Sequence, residues 1–250
     1  MTTTGFEGDQ IRMAEQRNTS KRAPRKQGTT RRRLSPEDRE KEIVSGAIEF
    51  FARHGFEATT RHLAHELGIT QPLLYRYFPS KEVLVERVYD EVFMQRWRPE
   101  WEGLILDRER PLKERLTTFY SAYADAVYDF VWVRIFVFSG LKGIDINGRY
   151  LAIIREKVLE PVCRELRHAQ GLPDVDRIPL SEEEIELAWN LHGAFFYRAI
   201  RRYVYTMPVI ASDEQAIAND VSIFVEGARK VQRQLIENGT ATVSQREWVQ

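Results

Sequence analysis

The segment Leu63–Phe78, LAHELGITQPLLYRYF, limits the local fold more than any other part of the chain. Ala64 is small, Gly68 follows four residues later, and Leu74 stands six beyond the glycine. Two short helices cross closely only where one side chain is small. They reverse tightly only where the backbone accepts a positive φ or a close approach, and the second must bury an apolar residue on the first. A segment that meets all three demands is expected to fold as a helix-turn-helix.

Helical periodicity extends to both sides. Ser35-Pro36-Glu37-Asp38 reads as a helix start, with a hydroxyl N-cap, proline in the first turn and acids near the positive end. Ile43, Ala47, Phe50 and Phe51 follow at helical spacing, and Gly55 should close that helix. Short helices are expected over 60–67 and 71–77, packed through Leu63, Leu67, Leu74 and Phe78. After Pro79, Ser80 can cap a helix that opens at Lys81, carries Leu84, Val88 and Val92 on one side, and runs to Trp97. Further helices are expected over 111–129, 131–140, 147–169, 181–206 and 213–238, with glycine and proline in the connections. VWVRIFVF, Val131–Phe138, is the one β-like run, short and isolated. No internal repeat is visible. Hydrophobic residues make up 43% of the chain, enough for a substantial core. The expected fold class is all-α: an N-terminal three-helix helix-turn-helix domain plus a larger C-terminal helical bundle, about nine helices in all. The expected boundaries are a disordered basic arm over 1–34, the helix-turn-helix domain over 35–80, a larger helical domain over 81–240, and a flexible tail over 241–250.

The single cysteine, Cys163, excludes an internal disulfide and suits a reducing cytosol. No apolar run approaches the roughly 20 residues of a membrane span, and MTTTGFEGDQ lacks a signal peptide's apolar stretch. These features lead to the expectation of a soluble, cytoplasmic protein without a membrane partner. The net charge of zero hides a segregation. Arg17, Lys21, Arg22, Arg25, Lys26, Arg31, Arg32 and Arg33 are eight basic residues in a stretch with no acid, which leaves the remainder at −8. A basic arm on an acidic body fits a polyanion partner at that end, or else a solubilising tail.

Removing the buried positions from the second short helix leaves Gln71, Pro72, Leu73, Tyr75, Arg76 and Tyr77 as a surface. Such a helix enters the major groove by its N-terminal part. There Gln can pair with adenine, Arg can fork onto guanine, and apolar groups can touch the thymine methyl, while tyrosine hydroxyls can hold phosphates. Competing readings are packing for Tyr75 and a solvated first turn for Lys81, whose position near a helix N-terminus also favours phosphate. His62 and His65 are three apart, but no third metal ligand lies nearby in sequence.

IVSGAIEFFARHGFEATTRHLAHELGITQPLLYRYFPSKEVLVERV resembles the DNA-binding domain of the TetR family of bacterial transcriptional regulators. The likeness covers about Glu40 to Val88, a fifth of the chain, and rests on many fixed offsets. These are the apolar pattern of the first helix, Gly55-Phe56, the threonine pair Thr59-Thr60, Leu63-Ala64 with Gly68-Ile69, Leu74-Tyr75 with Phe78, and Ser80-Lys81-Glu82. The resemblance implies a partner, double-stranded DNA, and roles by residue. Thr60, Arg61 and His62 would face DNA from the first reading helix, with Arg61 on a base and His62 on phosphate. Gln71, Pro72 and Leu73 would face base edges with Arg76 beside them, and Tyr75, Tyr77 and Lys81 would meet phosphate. Leu73, Arg76 and Tyr77 depart from residue types usual there, so no operator sequence carries over. The basic arm immediately precedes this domain, where it can lie along phosphates or in the minor groove.

For the rest of the chain the resemblance implies homodimerisation and a small-molecule effector. Ile217, Val221, Phe224, Val225, Ala228, Val231 and Leu235 form an apolar stripe that fits either a dimer interface or intrachain core. Trp97, Trp101, Phe119, Tyr123, Trp132, Phe136, Trp189, Phe195, Phe196 and Tyr197 fit either a core or a ligand-binding wall, with Arg134 and His192 as candidate polar anchors. The expected effector is hydrophobic or aromatic, with an acidic or hydroxyl group. No catalytic residues, metal site or cofactor motif can be assigned. Glu182-Glu183-Glu184 reads as a solvated helix start, and Cys163 lacks a base. The function expected is a ligand-responsive regulator, a repressor, that binds a palindromic operator as a homodimer. Effector binding would move the helix over 81–97 as a lever. The alternative is a DNA-binding regulator without a small-molecule ligand.

Overall fold

Helix α1, Pro36–His54, opens on proline and two acids, buries Ile43, Val44, Ala47, Phe50 and Phe51, and stops at Gly55, whose φ is +69°. That positive φ is the left-handed conformation glycine adopts without a Cβ penalty. The structure, a computed structural model, describes residues 34–247, with side chains to 238. The basic arm, except for its last residue, lies outside the described residues, as do the side chains of the expected tail.

Helices α2, Thr60–Glu66, and α3, Gln71–Tyr77, form the helix-turn-helix, with Thr59 and Thr70 as N-caps accepting from the amides of His62 and Leu73. Gly68, at φ +63°, makes the turn between them. Ser80 caps α4, Lys81–Tyr89, which continues through a π-helical turn, Asp90–Met94. This rod was expected to reach about Trp97; its last helical residue is Met94. Helix α5, Glu100–Leu106, was not expected: it is short, contains Gly103 and begins beside Pro99.

Helix α6, Leu112–Val127, and α7, Phe130–Lys142, follow. The β-like run lies inside α7, because Asp129 caps the N-terminus by accepting from the Trp132 amide at 2.7 Å and Gly143 ends it at φ +69°. Helices α8, Ile146–Ile154, and α9, Glu160–His168, are halves of one rod joined by a π-helical turn, Arg155–Leu159. Helix α10, Glu182–Tyr203, and α11, Asp213–Glu247, complete the bundle. The described residues thus form ten helical rods and no strand, an all-α fold with one rod more than expected.

Two packing features matter for function. Helix α1 packs on both α4 and α7, so the helix-turn-helix is continuous with the larger bundle from Pro36 onward. The α11 stripe turns mostly inward: Ile217, Val221, Phe224, Val225 and Ala228 are buried, chiefly where α11 meets α6 and α10. Glu184 departs from the expected solvated helix start. Its carboxylate closes a capping box with Ser181 and pairs with buried Arg167 at 2.5 Å, while Gln232 of α11 donates to it at 3.0 Å. A buried carboxylate needs such partners to remain charged.

Candidate functional site

Leu63, Ala64, Leu74 and Phe78 are buried against Phe50, Phe51 and Phe56, which fixes α2 and α3 on α1. The approach is close: a Cβ on Gly46 of α1 would lie 2.1 Å from Leu67 Cδ2. With that seat filled, Arg61, His62, Pro72, Tyr75 and Arg76 are exposed, and Thr60, Gln71, Leu73 and Tyr77 are half-buried. Thr60 links the two helices. Its hydroxyl is 2.9 Å from that of Tyr75 and accepts from the Gln71 amide at 3.1 Å. Arg76 lies over the Tyr77 ring. His62 is not isolated, since its ring stacks edge-on against Phe50 and lies near Glu66 and His54. Lys81 turns back into the domain, donating to Phe56 O and to Ala58 O, the latter at 2.8 Å. Burial draws its pKa down, offset in part by the nearby charges of Glu57 and Glu82. The ammonium therefore holds the α1–α2 loop and stands at the edge of the exposed face.

In the larger bundle, the aromatic residues expected at a ligand site meet ring to ring. Trp97 touches Trp101, Trp101 touches Phe119 and Tyr123, and Tyr123 touches His192, which touches Trp189. Trp132, Phe136 and Phe196 form the other side of the same cluster. Arg134 is not with them. It faces α1, where it donates to Ala52 O at 2.6 Å and Arg53 O at 3.4 Å. His192 is buried among neutral rings, and burial pushes its pKa down to about 4. Its Nδ1, Trp132 Nε1 and Tyr120 Oη are buried without a hydrogen-bond partner.

The sequence reading missed Tyr120 and Tyr128, which with Phe195 are part of the same ring cluster. The signal for Tyr120 was the inward face of α6, where Leu112, Leu116, Tyr120, Tyr123 and Val127 recur at helical spacing. It also missed a cleft of about 320 Å³ between α6, α10 and α11. Tyr128 and Phe195 line it, and at its rim Asp213 pairs with Arg198 at 2.8 Å and Arg202 at 2.7 Å. Cys163 is buried, and burial pushes its thiol up to about 12, so it carries no thiolate near neutral pH. Among the described residues no cluster of three His, Cys, Asp or Glu side chains is placed to hold a metal ion.

Comparison with known proteins places this geometry. Residues 43–88 match the profile described as bacterial regulatory proteins, tetR family. The HTH-type transcriptional repressor KstR2 of Mycolicibacterium smegmatis is 36% identical over 93 residues, which is 37% of this chain and 44% of that repressor. The alignment thus spans less than half of that repressor. A TetR-like transcriptional regulator from Rhodococcus sp. RHA1 shares the fold at TM-score 0.54 and 18% identity, covering 77% of this chain and 96% of its own. A tetR-family regulator from Streptomyces coelicolor superposes at TM-score 0.54 with 16% identity, over 85% and 89% of the two chains. The profile match coincides with the face built above: it covers most of α1, all of α2 and α3, and nearly all of α4. Over residues 43–88 the chain is therefore similar to the tetR family of bacterial regulatory proteins.

Proposed function

We propose that the protein is a ligand-responsive transcriptional repressor that binds palindromic operator DNA as a homodimer and leaves it when a small hydrophobic molecule enters the C-terminal bundle. The observation that carries this reading is the α2–α3 face. Arg61, Gln71, Pro72, Leu73, Tyr75 and Arg76 lie on two helices whose opposite sides are fully seated on α1. Gln71 and Pro72 are at the N-terminal end of α3, the end that meets base edges. Similarity to a repressor supports the sign of regulation.

Effector response needs a mechanical link, and α7 supplies one beside the α4 lever. Trp132 points into the ring cluster, while Arg134 holds carbonyls at the end of α1. Lys142 pairs with Glu57 in the α1–α2 loop, and Phe138 lies against Gly55. A ligand that shifts α7 thus shifts the seat of both reading helices. It must favour the off-DNA arrangement, because equal affinity for both arrangements moves no equilibrium.

Selection of bound DNA from a random pool tests the reading. Two inverted half-sites spaced by about one helical turn are expected. Gln71→Ala and Arg76→Ala should each weaken binding to the selected site by about 1–3 kcal/mol and relax one position of it. If Arg61→Ala, Gln71→Ala and Arg76→Ala all left binding intact, the α2–α3 face would not be the reader.

A further inference from the structure

We propose that Tyr120 Oη, Trp132 Nε1 and His192 Nδ1 are the polar contacts of the effector, and that the effector is an uncharged ring compound carrying hydrogen-bonding oxygen, admitted through the α6–α10–α11 cleft. This inference rests on the ligand-responsive reading above and narrows it to a chemical class.

Buried polar atoms nearly always find a partner, and one left without costs about 1–3 kcal/mol. Here four such atoms lie within a single ring cluster: Tyr120 Oη, Tyr128 Oη, Trp132 Nε1 and His192 Nδ1, with Tyr128 also lining the cleft. The Tyr120 ring is 6.2 Å from that of His192 and 4.4 Å from Phe195, and Tyr123 bridges His192 to Tyr128 and so to Trp132. The cluster has the means to satisfy polar groups, since the hydroxyls of Tyr123 and Tyr150 pair with each other at 2.9 Å. The unpaired atoms sit on rings that pack against other rings of this cluster.

Their chemistry defines what they can receive. An indole N–H only donates, so Trp132 requires an acceptor. The Tyr120 hydroxyl donates or accepts, and the His192 ring, kept neutral by burial, offers either an N–H or a lone pair. A carbonyl or hydroxyl oxygen satisfies this set. A carboxylate or phosphate does not, because burial of a charge needs a counter-charge. The cations at the cleft are already engaged: Arg198 and Arg202 bond Asp213, and Arg96 bonds Asp129 at 2.6 Å. Of the acidic and hydroxyl-bearing effectors expected from the sequence, this leaves the hydroxyl-bearing kind.

The route is equally specific. The cleft's inner wall is formed by Tyr128 and Phe195. Behind them the Tyr128 ring packs 5.7 Å from Trp132, and Phe195 packs on Tyr120. The proposed route runs past these two rings into the cluster that holds the unpaired atoms.

The test uses the full-length protein and four probes with matched rings: 2-naphthol, 1-tetralone, naphthalene and 2-naphthoate. Binding is followed by tryptophan fluorescence and calorimetry, and DNA release by competition at the selected operator. The two neutral oxygenated probes should bind about tenfold or more tightly than naphthalene and 2-naphthoate. Tyr120→Phe, which removes only the hydroxyl, and Trp132→Phe should each erase most of that preference, read as the ratio of oxygenated-probe to naphthalene affinity within the same variant. Should one variant misfold, the probe series on the native protein still decides the matter. Tighter binding of 2-naphthoate, or an unchanged preference in both variants, overturns the proposal. So does a crystal structure with ordered water on the three proposed contacts together with no binding of any probe. Operator release by 2-naphthoate alone would keep the ligand-responsive reading and remove the neutral class, so the two failures are distinguishable.

Discussion

Gln71, proposed to meet base edges, is held in place within the exposed face itself. Its amide nitrogen is held by Thr60, whose hydroxyl also meets Tyr75, so three side chains of the exposed face are ordered by one another. Pre-ordering lowers the side-chain entropy lost on docking. At the opposite extreme, His192 has no polar company, and its buried ring stays neutral down to about pH 4. The unfolded chain takes up that proton near pH 6.5, so it binds more protons than the folded one between the two values, and stability falls as pH falls through that window. The loss should approach about 3 kcal/mol by pH 4, and His192→Gln should remove most of it, as read by urea unfolding at pH 7 and pH 4. The reading face could be read from the sequence because Leu63, Ala64, Leu74 and Phe78 had to be buried, which left its members by subtraction. Arg134 and Lys81 could not be read the same way. Their long side chains end on carbonyls 82 and 25 residues away, and no local spacing encodes such reach.

Among the elements, α7 shows periodicity and capping in conflict. VWVRIFVF is β-branched and aromatic, yet an aspartate cap, a left-handed glycine and burial of Trp132, Val133, Ile135 and Phe136 on the bundle make it a helix. Tertiary burial outweighs local propensity here. The same helix is clamped to α1 by Arg134, whose guanidinium also lies over Phe130 and Phe138. Arg134→Ala removes both carbonyl contacts and the ring contacts, and is expected to cost about 1–3 kcal/mol of stability. Arg134→Lys should recover only part, because an ammonium lacks the planar fork. Equal stability of all three proteins in denaturant titration would show that α1 is held by its apolar face alone. Other elements were less legible. Helix α5 is seven residues with a glycine inside it, too short for a periodic signal. The π turns after Tyr89 and Ile154 leave the apolar spacing almost unchanged, so those rods were anticipated but not their widened turns.

For the whole molecule, α11 presents an ambiguity that only the fold resolves. An apolar stripe on a long terminal helix fits a core or a partner, and Ile217, Val221, Phe224, Val225 and Ala228 are used within the chain. What stays outward is a second row: Ile223 at 71% exposure, then exposed Gly227, then Val231 at 41%, each four residues apart, with Tyr197 of α10 at 56%. The proposed homodimer needs a self-complementary surface, and this row has the two properties required. It is apolar, and its central glycine lets another helix approach closely. Ile223→Asp places a charge at the first position of that row without disturbing the fold, since the side chain is mostly exposed. Sedimentation equilibrium should then show monomers where the native chain gives dimers, with the thermal midpoint of the helical signal lowered only by the loss of association. Because one α3 reaches few base pairs, the same change should reduce affinity for the two-half-site operator to that for a single half-site. A variant that remained dimeric would move the interface off this face of α11, and a monomer that still bound the full site with native affinity would separate dimerisation from operator reading altogether.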